Sequence, residues 1–340
     1  MTDTAHLDVT DTGWLTTFQD LGRTDTERRG VPSGGAADQH SAAVANILVG
    51  NRRGAPLIES MGGELAIVPD VDVLVAVTGT PSRVTVGGAH VDSWTPVVVP
   101  AGHELRISEG GLGARSYLAI NGLLAVERFL GSAAPDARMG FGQVIARGSE
   151  IRVDTGFHGF DRTFFDQSLF RFPVPRLAFD EKPWTIDVLP SDQLVGIPGM
   201  RELVAESIYT VTDRSNHVGL RLNGPVLHPD DRTEIVSHGV PIGALEVPHA
   251  DELIVLGRYR SLTAGYPIIG FATRTSLAML GQAGPGRELR FRWVDRDRAV
   301  HAARAVEGEL QKLESVVSDA FVALGVPTTF SRGLDCARII

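Results

Sequence analysis

The chain has 340 residues, 43% hydrophobic and 21% charged, with a formal net charge of −9, the balance of a soluble globular protein long enough for two domains. An acidic chain without a basic cluster excludes a nucleic-acid footprint, and no apolar run approaches the ~18 residues of a membrane helix. Only Lys182 and Lys312 are lysines among 32 basic residues; their contexts, "DEKPW" and "LQKLE", exclude a P-loop lysine, a Schiff-base lysine and a biotin-carrier lysine on this chain. The first residues, "MTDTAHLDVT", have neither the basic nor the apolar region of a secretory signal. With Cys336 as the single cysteine, a cytoplasmic protein without an internal disulfide is expected. Along the chain, a helix is predicted after Asp38, an N-cap, through "QHSAAVANILVG", with Val44, Ile47 and Leu48 on one face and Gly50 as its stop. Strands follow at "VLVAV" from Val73, "VVVP" from Val97 and "SYLAI" from Ser116.

A Phe-, Gly- and Pro-rich connector, "DTGFHGFDRTFFDQSLFRFPVPRLAFDEKP", then leads to a boundary near Pro183. Beyond it strands are predicted at "TIDVL" from Thr185, "YTVT" from Tyr209, "ELIVLG" from Glu252 and "PIIGFAT" from Pro267. The phrase Gly-x-Glu-Leu/Ile-x-apolar recurs at Gly62, Gly102, Gly148 and Gly286, and reads as a glycine turn feeding a strand with apolar residues two apart. The expectation is a mainly β protein with a few helices: residues 1–183 and 184–295 as two β domains, and 296–340 as a C-terminal helix and tail. That helix carries small or apolar residues from Ala299 to Leu324 in alternating steps of four and three, closed by Gly325 and Pro327. The spacing predicts a helix laid across its own barrel rather than an intermolecular contact.

Metal chemistry finds little support: the histidines lack metal-ligand spacing, and "HPDD" at His228 reads as a turn. A polar cluster of Ser237, His238, Glu246 and His249 stands among glycine turns in "SHGVPIGALEVPHADELIVL". Turn residues satisfying backbone groups and a functional site both fit it.

The phrases "TTFQDLGRTDTERRGVPSGGAADQHSAAVANILVGN", "GARSYLAING", "SNHVGLRLNGP", "SHGVPIGALEVPHADELIVL" and "TAGYPIIG" occur in that order between residues 12 and 295. Together they resemble the carboxyltransferase C-subunit family, also called allophanate hydrolase subunit 2. The resemblance implies two cyclophilin-like β-barrel domains. It also implies one of three roles: the C subunit of a 5-oxoprolinase, the carboxyltransferase component of a urea carboxylase and allophanate hydrolase system, or a non-catalytic protein antagonising a histidine-kinase inhibitor. It further implies a subunit-B-like partner (allophanate hydrolase subunit 1), ATP used through the assembled complex, and biotin only on a separate chain in the carboxylase case.

Departures from the family pattern concentrate in the second half. Glu246 stands where the family usually has Gln, exchanging a donor-acceptor amide for a carboxylate. His217 replaces the usual Arg within Ser215–Leu222, and Tyr259 to Leu262 lose the usual Asp-x-Gln-Thr. On this resemblance Ser237, His238 and Glu246 are the candidate catalytic residues, and Gln19, Asp20, Arg23, Asp38, Asn216, Arg221, Thr263 and Tyr266 the candidate substrate-binding ones. Arg23 and Arg221 suit bidentate carboxylate binding, and structural ion pairing with Asp20 or Asp38 suits them equally.

Overall fold

The computed structural model describes residues 3–108, 110–160, 171–180, 182–196, 199–227, 235–248 and 252–330. His228, His249 and Cys336, together with part of the connector, lie outside them. The chain is mainly β. In the first half, seven strands from Asp3–Asp11 to Glu150–Thr155 form one sheet, and five strands (Leu15–Gln19, Leu57–Met61, Val73–Gly79, Pro96–Val99 and Arg115–Ile120) form a second. Between the sheets lie Leu7, Val9, Ile67, Val75, Leu118 and Val153.

The five-stranded sheet is covered on both faces, which explains why "VLVAV" is apolar throughout rather than alternating. Val73, Val75 and Val77 point into the inter-sheet core, whereas Leu74 and Ala76 point out beneath two helices. Helix α1 (Gln39–Leu48) starts where the sequence placed it: Asp38 accepts hydrogen bonds from Ser41 N at 3.0 Å and Ser41 Oγ at 2.5 Å. Gly50 follows it with φ +77°, the left-handed position that a side chain would strain.

The second half closes into a barrel. Its strand order runs Trp184–Pro190, Ile268–Ala272, Ala244–Glu246, Leu253–Leu256, Gly219–Asn223, Tyr209–Val211 and Glu288–Trp293, and the last pairs in parallel with the first. Ile186, Leu222, Leu245, Val255, Ile269 and Phe291 fill its interior. Two helices that the sequence analysis did not anticipate complete it: α2 (Met200–Glu206) and α3 (Arg274–Gln282), the latter capped by Thr273 through Ser276 N. The four recurring phrases are all strand entries, and each leading glycine has φ between +65° and +85°.

Helix α4 (Arg296–Ala323) follows the predicted stripe, burying Leu310, Leu313 and Val317, with Phe321 added. It does not simply lie on its own barrel. Those side chains join Val44, Ile47 and Leu48 of α1 in one cluster on the first half, and Arg53 binds Glu307 at 2.7 Å and Glu314 at 2.6 Å. The uncovered α1 face explains the difference, because it offers α4 more apolar surface to remove from water. No helix among the described residues is long and apolar enough to cross a membrane.

Candidate functional site

Two neighbouring chambers lie in the cleft bordered by the halves. A polar chamber of about 410 Å³ is bordered mainly by the second half, with Arg138 reaching over from the first. A second chamber of about 230 Å³ lies between the halves. Both are lined by Asn216, Gly219 and Leu256.

Strand geometry puts Glu246 into the polar chamber. Along Ala244–Glu246, Leu245 enters the barrel interior while Ala244 packs outside with Ile254 and Leu256. Alternation therefore turns Glu246 outward as well. The two-strand flap His238–Gly239 and Thr263–Ala264, which pairs His238 with Ala264, accompanies this face and contributes Thr263 and Ala264 to the chamber lining. Glu246 is only 5% exposed and its Oε1 has no partner; Nδ1 and Nε2 of His238 are also buried without partners. Burial raises the Glu246 pKa above its usual value, against the opposing influence of His238 and Arg221.

Of the residues singled out from sequence, Asn216, Arg221, Glu246, Thr263 and Tyr266 line this polar chamber, and His238 adjoins it through the Glu246 interaction. Arg221 is paired with Glu252 at 2.5 Å. Asn216 Oδ1 accepts from Val218 N at 2.8 Å, which fixes the turn. Ser237 is exposed just before the flap strand and lines neither chamber.

The first-half candidates separate. Gln19 lines the inter-half chamber, where its Oε1 accepts from the Tyr259 hydroxyl at 3.3 Å. Asp20 is buried in a loop lock, accepting from Gly22 N at 2.7 Å, Ser132 Oγ at 2.6 Å and Ala133 N at 2.8 Å. Arg23 pairs with neither Asp20 nor Asp38; it donates to the Ala134 carbonyl and stacks over the Phe129 ring at 5.3 Å. Asp38 is fully buried, and beyond capping α1 it accepts from Gln282 Nε2 at 2.8 Å, joining the halves. None of these three lines either chamber.

Sequence reasoning did not select as site residues Glu59, Arg115 and Arg258 of the inter-half chamber, nor His217 and Tyr259, which it noted only as departures from the family pattern. Arg115 and Glu59 pair at 3.5 Å. Burial lifts the Tyr259 hydroxyl to about 12 and lowers His217 below its usual value, so at neutral pH the phenol is a donor and the imidazole is uncharged. The one available signal was adjacency: Arg258 and Tyr259 immediately follow the "ELIVLG" strand, and a residue at a strand's end on a barrel rim is placed to border a mouth.

A bilobed β fold with a cleft carrying unpaired buried acid-base groups describes a small-molecule-processing domain. Residues 29–293 match the family described as carboxyltransferase domain, subdomain A and B, and the chain belongs to that family. Among curated proteins it is similar to the C subunit of 5-oxoprolinase from Escherichia coli, at 28% identity over 90% of this chain and 97% of that protein. The Haemophilus influenzae protein of the same name is 24% identical, over 92% of this chain and 99% of its own length. Urea amidolyase of Lachancea kluyveri is 27% identical over 84% of this chain, which spans only 17% of that protein. Among solved structures, the Kluyveromyces lactis urea carboxylase shares the fold with a TM-score of 0.77 at 22% identity, covering 91% of this chain and 29% of that one.

Proposed function

We propose that this chain is the C subunit of a heteromeric, ATP-dependent amide-processing enzyme of the 5-oxoprolinase type, opening 5-oxoproline to glutamate. The polar chamber carries the reading: Glu246 lines it with Oε1 buried and unpartnered, and both ring nitrogens of His238, whose strand partner Ala264 lines the chamber, are likewise buried and unpartnered. Such groups cost stability unless something offsets them. A lactam offers an N–H donor and a C=O acceptor side by side, which suits a facing carboxyl and imidazole. Glu246, its pKa raised by burial, would orient the lactam; His238 would accept or deliver a proton at the ring-opening step. Arg221, Asn216, Thr263 and Tyr266 would complete the polar wall. Coverage supports the choice among relatives, since the chain spans nearly all of each 5-oxoprolinase C subunit and a small part of urea amidolyase.

Neither chamber is lined by a lysine. On this reading ATP-dependent activation would be completed with a subunit-B-like partner.

The test is phosphate release by the co-expressed pair with 5-oxoproline or urea, with and without avidin as a biotin trap. The expected result is 5-oxoproline-dependent release that avidin leaves unchanged and that neither chain shows alone. Urea-dependent turnover stopped by avidin would instead assign the carboxylase reading. Tight pairing with no turnover would assign a non-catalytic antagonist.

A further inference from the structure

We propose that Glu252 is a positioning residue for the polar chamber: it holds Arg221 at the rim, away from Glu246, and so sets the pH at which Glu246 gives up its proton. The inference deepens the acid-base reading of that chamber and rests on it.

Strand register brings the side chains together. Arg221 pairs with Ile254, and Ile254 pairs on its other side with Glu246. The three therefore form one row across the strands Gly219–Asn223, Leu253–Leu256 and Ala244–Glu246, and all three line the polar chamber. Two strand spacings put the backbones of Arg221 and Glu246 about 10 Å apart, with only Ile254 between them. Glu252 lies two residues before Ile254, and alternation places it on the same face. It stands diagonally from Arg221, within reach of a long side chain, and draws the guanidinium toward the strand's entry rather than along the row.

Hydrogen bonds fix that placement. Arg221 Nη1 donates to Glu252 Oε2 at 2.5 Å, and Arg214 Nη2 donates to Glu252 Oε1. Both carboxylate oxygens are engaged, on a side chain only 11% exposed. The Arg221 backbone is held as well: its N–H donates to Ser215 Oγ at 2.9 Å, and its carbonyl accepts from Thr212 N at 2.9 Å. At the other end of the row, Glu246 Oε1 is buried without a partner.

The charges that bear on Glu246 are those of His238, on the flap, and Arg221. Among the described residues, Arg138 of the first half and Tyr266 also border the chamber. Burial favours the protonated carboxyl, and the two cationic groups oppose it. A guanidinium within roughly 4–6 Å of a carboxyl lowers its pKa by about 1–3 units. Glu252 prevents that approach and offsets the charge felt from farther away. Protonated Glu246 donates as well as accepts and can hold an amide carbonyl oxygen, whereas the carboxylate only accepts. Glu252 thereby extends to higher pH the range in which the chamber offers this donor.

Carbon-13 NMR titration of the side-chain carboxyls in the full-length protein reads the effect without substrate or partner chain, the Glu246 signal being the one lost in Glu246→Gln. Glu252→Gln removes the clamp and frees Arg221, so the Glu246 acid constant should rise about tenfold or more, a midpoint lower by about one pH unit. Glu252→Asp keeps the charge on a shorter stem; it should shift the midpoint less, in the same direction, and it decides the matter if Glu252→Gln does not fold. Melting temperatures check each variant. In an Arg221→Gln background, Glu252→Gln should lose most of its effect. An unchanged midpoint in the Glu252 variants would overturn the assignment. So would a full shift that persists without Arg221, because Glu252 would then act by direct repulsion. Turnover plays no part in the titration, so a chamber that titrates as expected but opens no amide retires the amide reading alone.

Discussion

Glu246 turns a sequence difference into a measurable pH effect. Its pKa in the folded protein lies above the ordinary carboxyl value because burial disfavours the charged form. The stability it supports is therefore complete below the unfolded pKa near 4.5 and is lost as pH rises through the folded pKa. Glu246→Gln, nearly isosteric and permanently neutral, should melt with the wild type in acid and above it at pH 7–8, each unit of pKa shift being worth about 1.4 kcal/mol. Thermal melts across this range check it; a variant less stable at pH 8 would mean that the ionised carboxylate has a partner. Legibility at this scale was uneven. Asn216, Arg221, Glu246, Thr263 and Tyr266 were selected because they sit in short motifs of the second half, and all five line the polar chamber. Glu59, Arg115 and Arg258 were not, since they border one chamber only once the two halves pack together, and that is a property of three-dimensional packing. Asp20 and Asp38 illustrate the converse, being polar residues of a recognisable motif whose hydrogen bonds are spent on backbone and cap.

Among elements, α4 shows what periodicity does and does not specify. The four-three spacing located its buried stripe to within a residue or so, because a helix must turn one face inward. Which surface that face meets depends on what the rest of the chain leaves open, and local sequence is silent on this. Strands were similarly legible from their apolar runs and glycine entries. The helix α3 was missed because its nine residues carry too few turns for a clear period. Phe321 anchors α4: it is fully buried and meets Phe172 edge-on at 6.4 Å. Phe321→Ala should cost about 3–5 kcal/mol through lost transfer energy and an unfilled cavity. Val322→Ala, one residue on and 75% exposed, should change stability by no more than about 0.5 kcal/mol. Denaturant midpoints for the pair read the contrast, and similar losses in both would place α4 differently.

Over the whole molecule, the seam between halves is built from backbone-to-backbone approach. A Cβ added at Gly281 would stand 2.4 Å from Ala37 O and 2.7 Å from Asp38 N, so Gly281→Ala must push α3 off the first half. The expected outcome is a loss of about 1–3 kcal/mol from overpacking. Gly308→Ala is the counterpart: nothing lies within 4 Å of a Cβ there, and a helix gains about 0.5–1 kcal/mol from the exchange. Melting curves of both variants separate a tight seam from generic intolerance to alanine. The packing of α4 onto α1 also bears on how the protein is made. Helix α1 ends at Leu48 and α4 begins at Arg296, so roughly 250 residues must be translated between them, about 12–50 s at ~5–20 residues per second. During that interval the nascent first half carries Val44, Ile47 and Leu48 without the helix that covers them, an apolar surface open to a ribosome-associated chaperone until α4 emerges and covers it.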